Sequence, residues 1–219
     1  MLAVERAAYL TIDEGPAEEF MQKVDYLNVR GIRAIWFCLG EALEKFSDAA
    51  VHAIRTGHMI GNRSYDHADF SSLSLEDARR QVERTDQVIE GLYAQADAIR
   101  PAKLFRFPYT EEESRHEHFA GIQLMLEQLG YEQPSFEQIQ YAEQDEWSMK
   151  RGIHVLSTLD TFDLGKEGDS LVEARTGNEV IHIHDWIAFE PFMIVLDRLL
   201  AKEMTVTFPE GWGQVSIVV

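Results

Sequence analysis

Cysteine and long apolar runs are nearly absent from this 219-residue chain. Its only cysteine, Cys38, lies inside the apolar stretch 34–39, so one chain can form neither an internal disulfide nor a cysteine-based zinc site. No stretch approaches the ~18 consecutive apolar residues that a membrane-spanning helix needs. The N-terminus carries Glu5 and Arg6 where a secretion signal has its apolar core, so we expect a cytoplasmic protein.

Basic residues are also scarce. The chain has 20 Lys and Arg against 38 Asp and Glu, a formal net charge of −18. No basic block is dense enough to follow a phosphate backbone, which disfavours nucleic acid and anionic membranes as partners and favours a neutral or cationic ligand. With 45% apolar and 11% aromatic residues the chain has ample surface to bury, so disorder is excluded as its main state.

Short apolar runs alternate with segments of helical period along the whole chain, which is typical of βα units around a parallel sheet. The pattern predicts strands over 7–12, 34–39, 58–62, 104–107, 154–158, 179–184, 204–208 and 215–219. Ser74 and Asp77 resemble a capping box that opens a long helix. We expect one domain, residues 1–219, built as either a doubly wound sheet or a β/α barrel.

Polar segments follow several of these strands, at the edge where α/β proteins assemble their sites. They are residues 11–16, 57–67, 105–109, 159–163 and 181–185. In this order and spacing they resemble the five motifs of the polysaccharide deacetylase family, the NodB homology domain or carbohydrate esterase family 4. The resemblance covers about residues 9–208. It implies an α/β fold, an irregular (β/α) barrel of about seven strands, that hydrolyses an acyl amide or ester, commonly the N-acetyl group of a sugar polymer.

The resemblance implies an acid/base set when it is carried over residue by residue. Asp13 takes the position of the base that receives a proton from water, and Arg106 that of the arginine paired with it. The backbone N–H of Tyr109 would face the developing oxyanion. His184 matches the acid that protonates the leaving amine, and Asp160 the carboxylate that orients this imidazole. We therefore expect contacts between Arg106 and Asp13, and between Asp160 and His184.

The metal site that the resemblance implies is altered in this sequence. The family generally holds one divalent metal, often zinc, with an Asp and two His. Here Glu14 replaces the Asp, His67 matches one His, and Arg63 stands in place of the other. A guanidinium has no lone pair to give and keeps its charge, so it repels a metal ion. We expect no tightly held zinc cofactor, and an ion pair between Arg63 and the longer Glu14 side chain.

Several functions remain open at this point. The first is an enzyme, a hydrolase of carbon–nitrogen bonds other than peptide bonds that acts on an N-acetylated sugar. The second is an impaired homologue that binds carbohydrate without turnover, and the third a metal-independent amidohydrolase of a small amide. A metal held in a rearranged site by Glu14, Asp66 and His67 is a further alternative.

Two more side chains join the candidates. His182 lies two residues before His184, on the same face of an ideal strand, and is a candidate for a second functional imidazole. Trp186 is a candidate either for a sugar groove or for the core. The sequence gives no prediction of the oligomeric state.

Overall fold

The computed structural model describes residues 6–109, 116–134, 136–139, 155, 157–160, 177–201 and 204–209. Its strands are β1 (Arg6–Gly15), β2 (Ile35–Cys38), β3 (Met59–Asn62), β4 (Leu159–Asp160), β5 (Glu179–His184) and β6 (Met204–Thr207). Its helices are α1 (Phe20–Val29), α2 (Gly40–Lys45), α3 (Ser47–Arg55), α4 (Leu75–Gln95), α5 (His116–Gln128) and α6 (Phe189–Leu200). None of the helices in these ranges is both long enough and apolar enough to cross a membrane.

The strands form one parallel sheet in the order β3-β2-β1-β5-β4, and β6 pairs with the first residues of β1. A single bridge between Asn62 and Phe105 continues the sheet beyond β3. The predicted strand over 104–107 therefore exists only as isolated pairing. In the strand predicted over 154–158, residues 155, 157 and 158 are not in a strand, and 154 and 156 lie outside the described residues; a strand instead covers Leu159–Asp160. The strand predicted over 215–219 lies outside the described residues.

β1 lies in the middle of the sheet, and its residues Ala8–Asp13 are all buried. A parallel strand covered on both faces has a continuous apolar sequence rather than an alternating one. On one face Ile12 packs in the larger core together with Phe20 and Trp36. Cys38 at the end of β2 is fully buried, and burial raises the pKa of its thiol well above the ordinary value. The predicted α/β class with a parallel sheet is confirmed, and a single domain over 1–219 stays a prediction.

The carboxyl ends of β1, β3 and β5 meet at one edge of this sheet. Asp13 on β1 and His184 on β5 are register partners, so their backbones are direct neighbours. Arg63 follows β3, and its N–H donates to the carbonyl of Cys38 at 3.0 Å. The N–H of Arg106 donates to the carbonyl of Asn62 at 3.1 Å. The strand ends thereby bring four of the predicted residues to the same edge of the sheet: Asp13, Arg63, Arg106 and His184.

Candidate active site

Asp13 is fully buried at the centre of the site. Its Oδ1 accepts a hydrogen bond from Nη1 of Arg106 at 2.7 Å, so the predicted contact is present. Its Oδ2 lies against Nη1 of Arg63 and 3.2 Å from Nε2 of His182. Burial alone would raise the pKa of Asp13, but Arg106, Arg63 and His182 together hold it well below the ordinary value. Asp13 is therefore a carboxylate anion at neutral pH.

Arg106 is fixed by more than its ion pair. Its Nε donates to the carbonyl of Val155 at 2.8 Å, and its Nη1 also donates to Oγ1 of Thr11 at 2.8 Å. The guanidinium lies over the ring of Phe37, with 4.4 Å between its carbon and the ring centroid. Hydrogen bonds and a cation–π contact restrain the group in three directions. Arg106 thus holds the Asp13 carboxylate in one orientation.

Glu14 lies directly after Asp13 and adopts a left-handed backbone, with φ of 64°. Its Oε1 lies 3.2 Å from Nη2 of Arg63, 3.0 Å from Nε2 of His67 and 3.7 Å from Nε2 of His184. Burial raises the pKa of Glu14, but the His67 hydrogen bond and the charges of Arg63, His67 and His184 lower it to about 2. The predicted pair between Glu14 and Arg63 is therefore present. A non-glycine residue with positive φ is uncommon and concentrates at functional sites.

Arg63 is buried and held in place by two backbone groups. Its Nη1 donates to the carbonyl of Phe107 at 3.1 Å, and its Nη2 to the carbonyl of Pro108 at 3.3 Å. These contacts aim the guanidinium at the two carboxylates of Asp13 and Glu14. Arg63 is thus an internal cation and not a solvated loop arginine.

The residues present do not fit a divalent metal. Glu14 and His67 are the two donors that remain of the implied ligand set, and a guanidinium lies beside them instead of a third donor. Across the described ranges no three His, Cys, Asp or Glu side chains are grouped so that they could hold a metal ion. Asp66 is exposed and joins no such group, so the rearranged site of Glu14, Asp66 and His67 is not formed.

Two imidazoles of β5 enter the site together. The ring centroids of His182 and His184 lie 4.3 Å apart, and both side chains are largely buried. The resemblance gives no role to His182, whereas the period of two along a strand is the signal that identifies it. In the sheet Asp160 is the register partner of His182 and not of His184. The side chain of Asp160 lies outside the described part of the structure, so its contact with His184 stays a prediction.

Two half-exposed aromatic side chains lie beside histidines of the site, one next to His67 and one next to His184. Tyr109 is 52% exposed, and its ring centroid lies 4.8 Å from that of His67. Trp186 is also 52% exposed and lies 5.2 Å from the ring of His184. This exposure excludes the core position that the sequence left open for Trp186. The role of the Tyr109 N–H toward an oxyanion stays a prediction.

A buried ion pair that the sequence analysis missed lies behind the site. Nζ of Lys23 lies 2.7 Å from Oδ1 of Asp185, and both side chains are fully buried. Asp185 also accepts from the N–H of Ala17 at 2.6 Å, and its own N–H donates to the carbonyl of Asp13 at 2.8 Å. Lys23 lies on the buried face of α1, three residues after Phe20. A lysine at such an apolar position was the signal in the sequence that could have indicated a buried ion pair. The pair ties α1 to the residue that follows β5, and the N–H of Asp185 ties that residue to the end of β1.

In sequence the chain is similar to known deacetylases. The family model described as polysaccharide deacetylase matches residues 3–133. A peptidoglycan-N-acetylglucosamine deacetylase of Bacillus cereus is 34% identical over 103 residues, which is 47% of this chain and 36% of that protein. A peptidoglycan-N-acetylmuramic acid deacetylase of Bacillus subtilis is 29% identical over 101 residues, 46% of this chain and 21% of that protein. The matched segment thus spans well under half the length of both relatives.

Solved structures share the fold. A family 4 carbohydrate esterase from Streptomyces lividans, in complex with acetate, has a TM-score of 0.64 at 24% identity and covers 93% of this chain and 92% of its own. A pseudoenzyme of the same esterase family from Bacillus anthracis has a TM-score of 0.62 at 15% identity and covers 92% of this chain and 61% of its own. The predicted NodB-like α/β barrel fold is therefore confirmed. Since the family model spans more than half of the sequence, this chain belongs to the polysaccharide deacetylase family.

Proposed function

We propose that this chain hydrolyses the acetamide of an N-acetylated sugar, as a hydrolase of carbon–nitrogen bonds other than peptide bonds. The observation that carries the proposal is the buried pair of Asp13 and Arg106 beside His184, on adjoining strand ends. Relatives named as peptidoglycan deacetylases supply the substrate class. A neutral sugar amide also suits a chain with a net charge of −18.

The reaction needs a proton acceptor, a proton donor and a cation for the tetrahedral intermediate. Asp13 is the proposed base, and its carboxylate takes a proton from the attacking water. His184 gives a proton to the nitrogen as the carbon–nitrogen bond breaks, and its neighbour Glu14 at 3.7 Å favours the charged imidazole. Arg63 and the N–H of Tyr109 are the proposed donors to the developing oxyanion.

The proposed reaction runs without a metal, because Arg63 supplies part of the positive charge that the family obtains from zinc. A bound metal lowers the pKa of its water to about 7, and a guanidinium does not. Hydrolysis of an unactivated amide is therefore expected to be slow. An activated acetyl ester, with a better leaving group, is expected to react faster.

A second function is carbohydrate binding without turnover. The observation that favours it is the contact of Arg63 with Asp13, since two guanidiniums then neutralise the carboxylate at the position of the base. A pseudoenzyme among the solved structures with this fold is a precedent for such a loss. The half-exposed rings of Tyr109 and Trp186 would remain as stacking surfaces for sugar.

Acetate release in the presence of a chelator separates these functions. We expect the purified protein to release acetate from 4-nitrophenyl acetate, and more slowly from an N-acetyl chito-oligosaccharide, with rates that EDTA leaves unchanged. Asp13→Asn abolishes release, whereas the matched control Asp25→Asn, in an exposed pair with His52, leaves it intact. Calorimetric binding of the oligosaccharide without acetate release would establish the second function. Loss of activity in EDTA with recovery in zinc would contradict the metal-free reaction.

A further inference from the structure

The turn that follows β1, residues 13–17, carries two carboxylates of the site, those of Asp13 and Glu14. Glu14 has a left-handed backbone, with φ of 64°. A side chain makes this conformation unfavourable, so it persists only where the surrounding structure holds it. In this conformation Oε1 of Glu14 accepts a hydrogen bond from Nη2 of Arg63 at 3.2 Å. The groups that hold the turn therefore also decide where Glu14 meets Arg63.

Asp185 contacts the turn on both sides of Glu14. Before Glu14, the carbonyl of Asp13 accepts from the backbone N–H of Asp185 at 2.8 Å. After Glu14, the N–H of Ala17 donates to Oδ2 of Asp185 at 2.6 Å. The same oxygen packs against the middle of the turn, because a Cβ added to Gly15 would lie 3.0 Å from it. One residue thus spans the whole turn.

Lys23 of α1 fixes the orientation of this carboxylate. Its Nζ donates to Oδ1 of Asp185 at 2.7 Å and also to the backbone carbonyl of the same residue. Both side chains are fully buried, so these contacts are shielded from solvent. With Oδ1 bound to Lys23, the other carboxylate oxygen is left for the N–H of Ala17. Lys23 therefore sets the direction in which Asp185 holds the turn.

We propose that Asp185, oriented by Lys23, is a positioning residue for the amide hydrolysis proposed above, on which this inference rests. It holds the turn so that Asp13 and Glu14 keep their places against Arg63. Asp185 is itself fully buried, so it acts through the turn and not on the substrate.

The place of Asp185 in the chain also links the turn to the proton donor. Asp185 directly follows His184, and His184 is the register partner of Asp13. A shift of the turn would therefore change the distances among the proton acceptor, the proton donor and the cation for the oxyanion. A misplacement of about 1 Å can lower a rate ~100-fold, so we expect an effect of this size on kcat when the clamp is lost.

Two double variants isolate the contact between Asp185 and Ala17. Lys23→Met with Asp185→Asn removes both buried charges but keeps an oxygen that can accept from the N–H of Ala17. Lys23→Met with Asp185→Leu has a side chain of similar size and no acceptor. We expect the Asp185→Asn form to keep most of the wild-type kcat for 4-nitrophenyl acetate, and the Asp185→Leu form to lose it ~100-fold. KM should change little in both, since the turn carries neither Tyr109 nor Trp186.

A core variant on another helix controls for loss of stability. Leu92→Ala removes a buried side chain near the end of α4. It should lower the midpoint of urea unfolding but leave kcat unchanged at temperatures where the protein stays folded. A kcat that falls with stability in Leu92→Ala as it does in the Asp185→Leu form would mean that stability alone sets the rate, and would overturn the proposal.

A single substitution tests the same contact with the charges of Lys23 and Asp185 in place, and decides the question where the Asp185→Leu form does not fold. Gly15→Ala presses a methyl group against Oδ2 of Asp185, at 3.0 Å, and against the ring of Phe20, at 3.2 Å. It should lower kcat. Gly91→Ala is the matched control and should keep the wild-type rate, because in the described part of the structure no atom outside its own helix lies within 4 Å of the added methyl. Wild-type kcat in Gly15→Ala contradicts the positioning role.

Nuclear magnetic resonance reads the turn without any turnover. The amide proton of Ala17 should exchange slowly with solvent in the wild type and in the Asp185→Asn form, and fast in the Asp185→Leu form. The contact between the amide proton and Hα of Glu14, which is closest when φ is positive, should weaken only in the Asp185→Leu form. A slow Asp185→Leu form in which Glu14 keeps its left-handed backbone would overturn the proposal. An inactive wild-type protein overturns the proposed hydrolysis instead, while these signals still test the clamp, so the two failures are distinguishable.

Discussion

Arg63 makes ion pairs with both Asp13 and Glu14, so one guanidinium joins the family position of the base to a family position of a metal ligand. Backbone carbonyls of Phe107 and Pro108 hold this guanidinium in the interior. The internal positive charge of the site is therefore a covalent part of the chain. Its strength does not depend on the supply of a metal, and a chelator cannot remove it.

Restoring the implied ligand set should create a metal site. We expect the double variant Arg63→His with Glu14→Asp to bind zinc and to release acetate faster than the unmodified protein. The reason is that an imidazole then offers a lone pair where a cation lay, while Asp13 keeps its contact with Arg106. Isothermal titration with zinc measures the affinity.

Arg63→Gln with Glu14→Asp is the control for this variant, because it removes the same charge without adding an imidazole. It should bind zinc far more weakly. Stoichiometric zinc in the unmodified protein, held by Glu14 and His67, would contradict the interpretation of Arg63 as the replacement for the metal.

Removing one partner of the Lys23–Asp185 pair should destabilise the fold strongly. Lys23→Met leaves a fully buried carboxylate without its cation, and such a change costs about 3–5 kcal/mol. Urea unfolding should show this as a lower midpoint with an unchanged slope. Adding Asp185→Asn should recover part of the loss, since the amide oxygen can still accept from the N–H of Ala17. Equal stability of both variants would contradict this account.

Trp186 should contribute to sugar binding beside the catalytic imidazole. Truncation to Ala removes a half-exposed aromatic face next to His184, and we expect chito-oligosaccharide affinity to fall about tenfold, or ~1.4 kcal/mol. Calorimetry in an Asp13→Asn background avoids turnover during the titration. Val29→Ala, which trims an 85% exposed apolar side chain on α1, should leave affinity unchanged. Equal affinity in the Trp186 variant would mean that the sugar lies elsewhere.

The parts of the fold that the sequence predicted are those with local signals. The central strand β1 appears as an apolar run because both faces of the sheet are covered, and Ser74 caps α4 by accepting from the N–H of Asp77 at 3.1 Å. Residues 104–107 are also mostly apolar, but they make a single isolated bridge, from Phe105 to Asn62, because pairing depends on neighbours distant in sequence. Predicting where a strand forms therefore requires the segment with which it pairs as well as its own apolar pattern.

Within the site, too, the contacts that could be predicted are those with a signal in the sequence. The pair of Arg106 with Asp13 could be predicted because the family resemblance names both partners, and that of Arg63 with Glu14 because the two substitutions compensate each other in charge and length. The contact of Arg63 with Asp13 and the pair of Lys23 with Asp185 could not. The latter joins residues 162 positions apart, and no motif links them. Such contacts follow from the way strand ends converge, which sequence spacing does not encode.

A buried neutral histidine remote from the catalytic edge should make the fold sensitive to acid. Nδ1 of His58 accepts from the N–H of Ala34 and from Nε1 of Trp36, each at 3.2 Å, and Nε2 lies 3.1 Å from the amide oxygen of Asn28. Protonation of Nδ1 would break both bonds to it. Burial, with smaller contributions from Arg33 and His52, lowers the pKa of His58 from 6.5 to about 3.

The free energy of unfolding should therefore fall as the pH drops below 6.5, because the unfolded chain then binds a proton that the folded chain does not. The slope reaches at most ~1.4 kcal/mol per pH unit and ends near the folded-state pKa of about 3. Urea unfolding of the wild type and of His58→Gln across this range isolates the contribution, because all other groups titrate in both proteins. The glutamine amide can donate and accept but does not titrate, so its curve should be flatter by this slope even if the variant is less stable throughout. Parallel curves would show that His58 carries its proton in the folded protein and that burial does not keep the ring neutral.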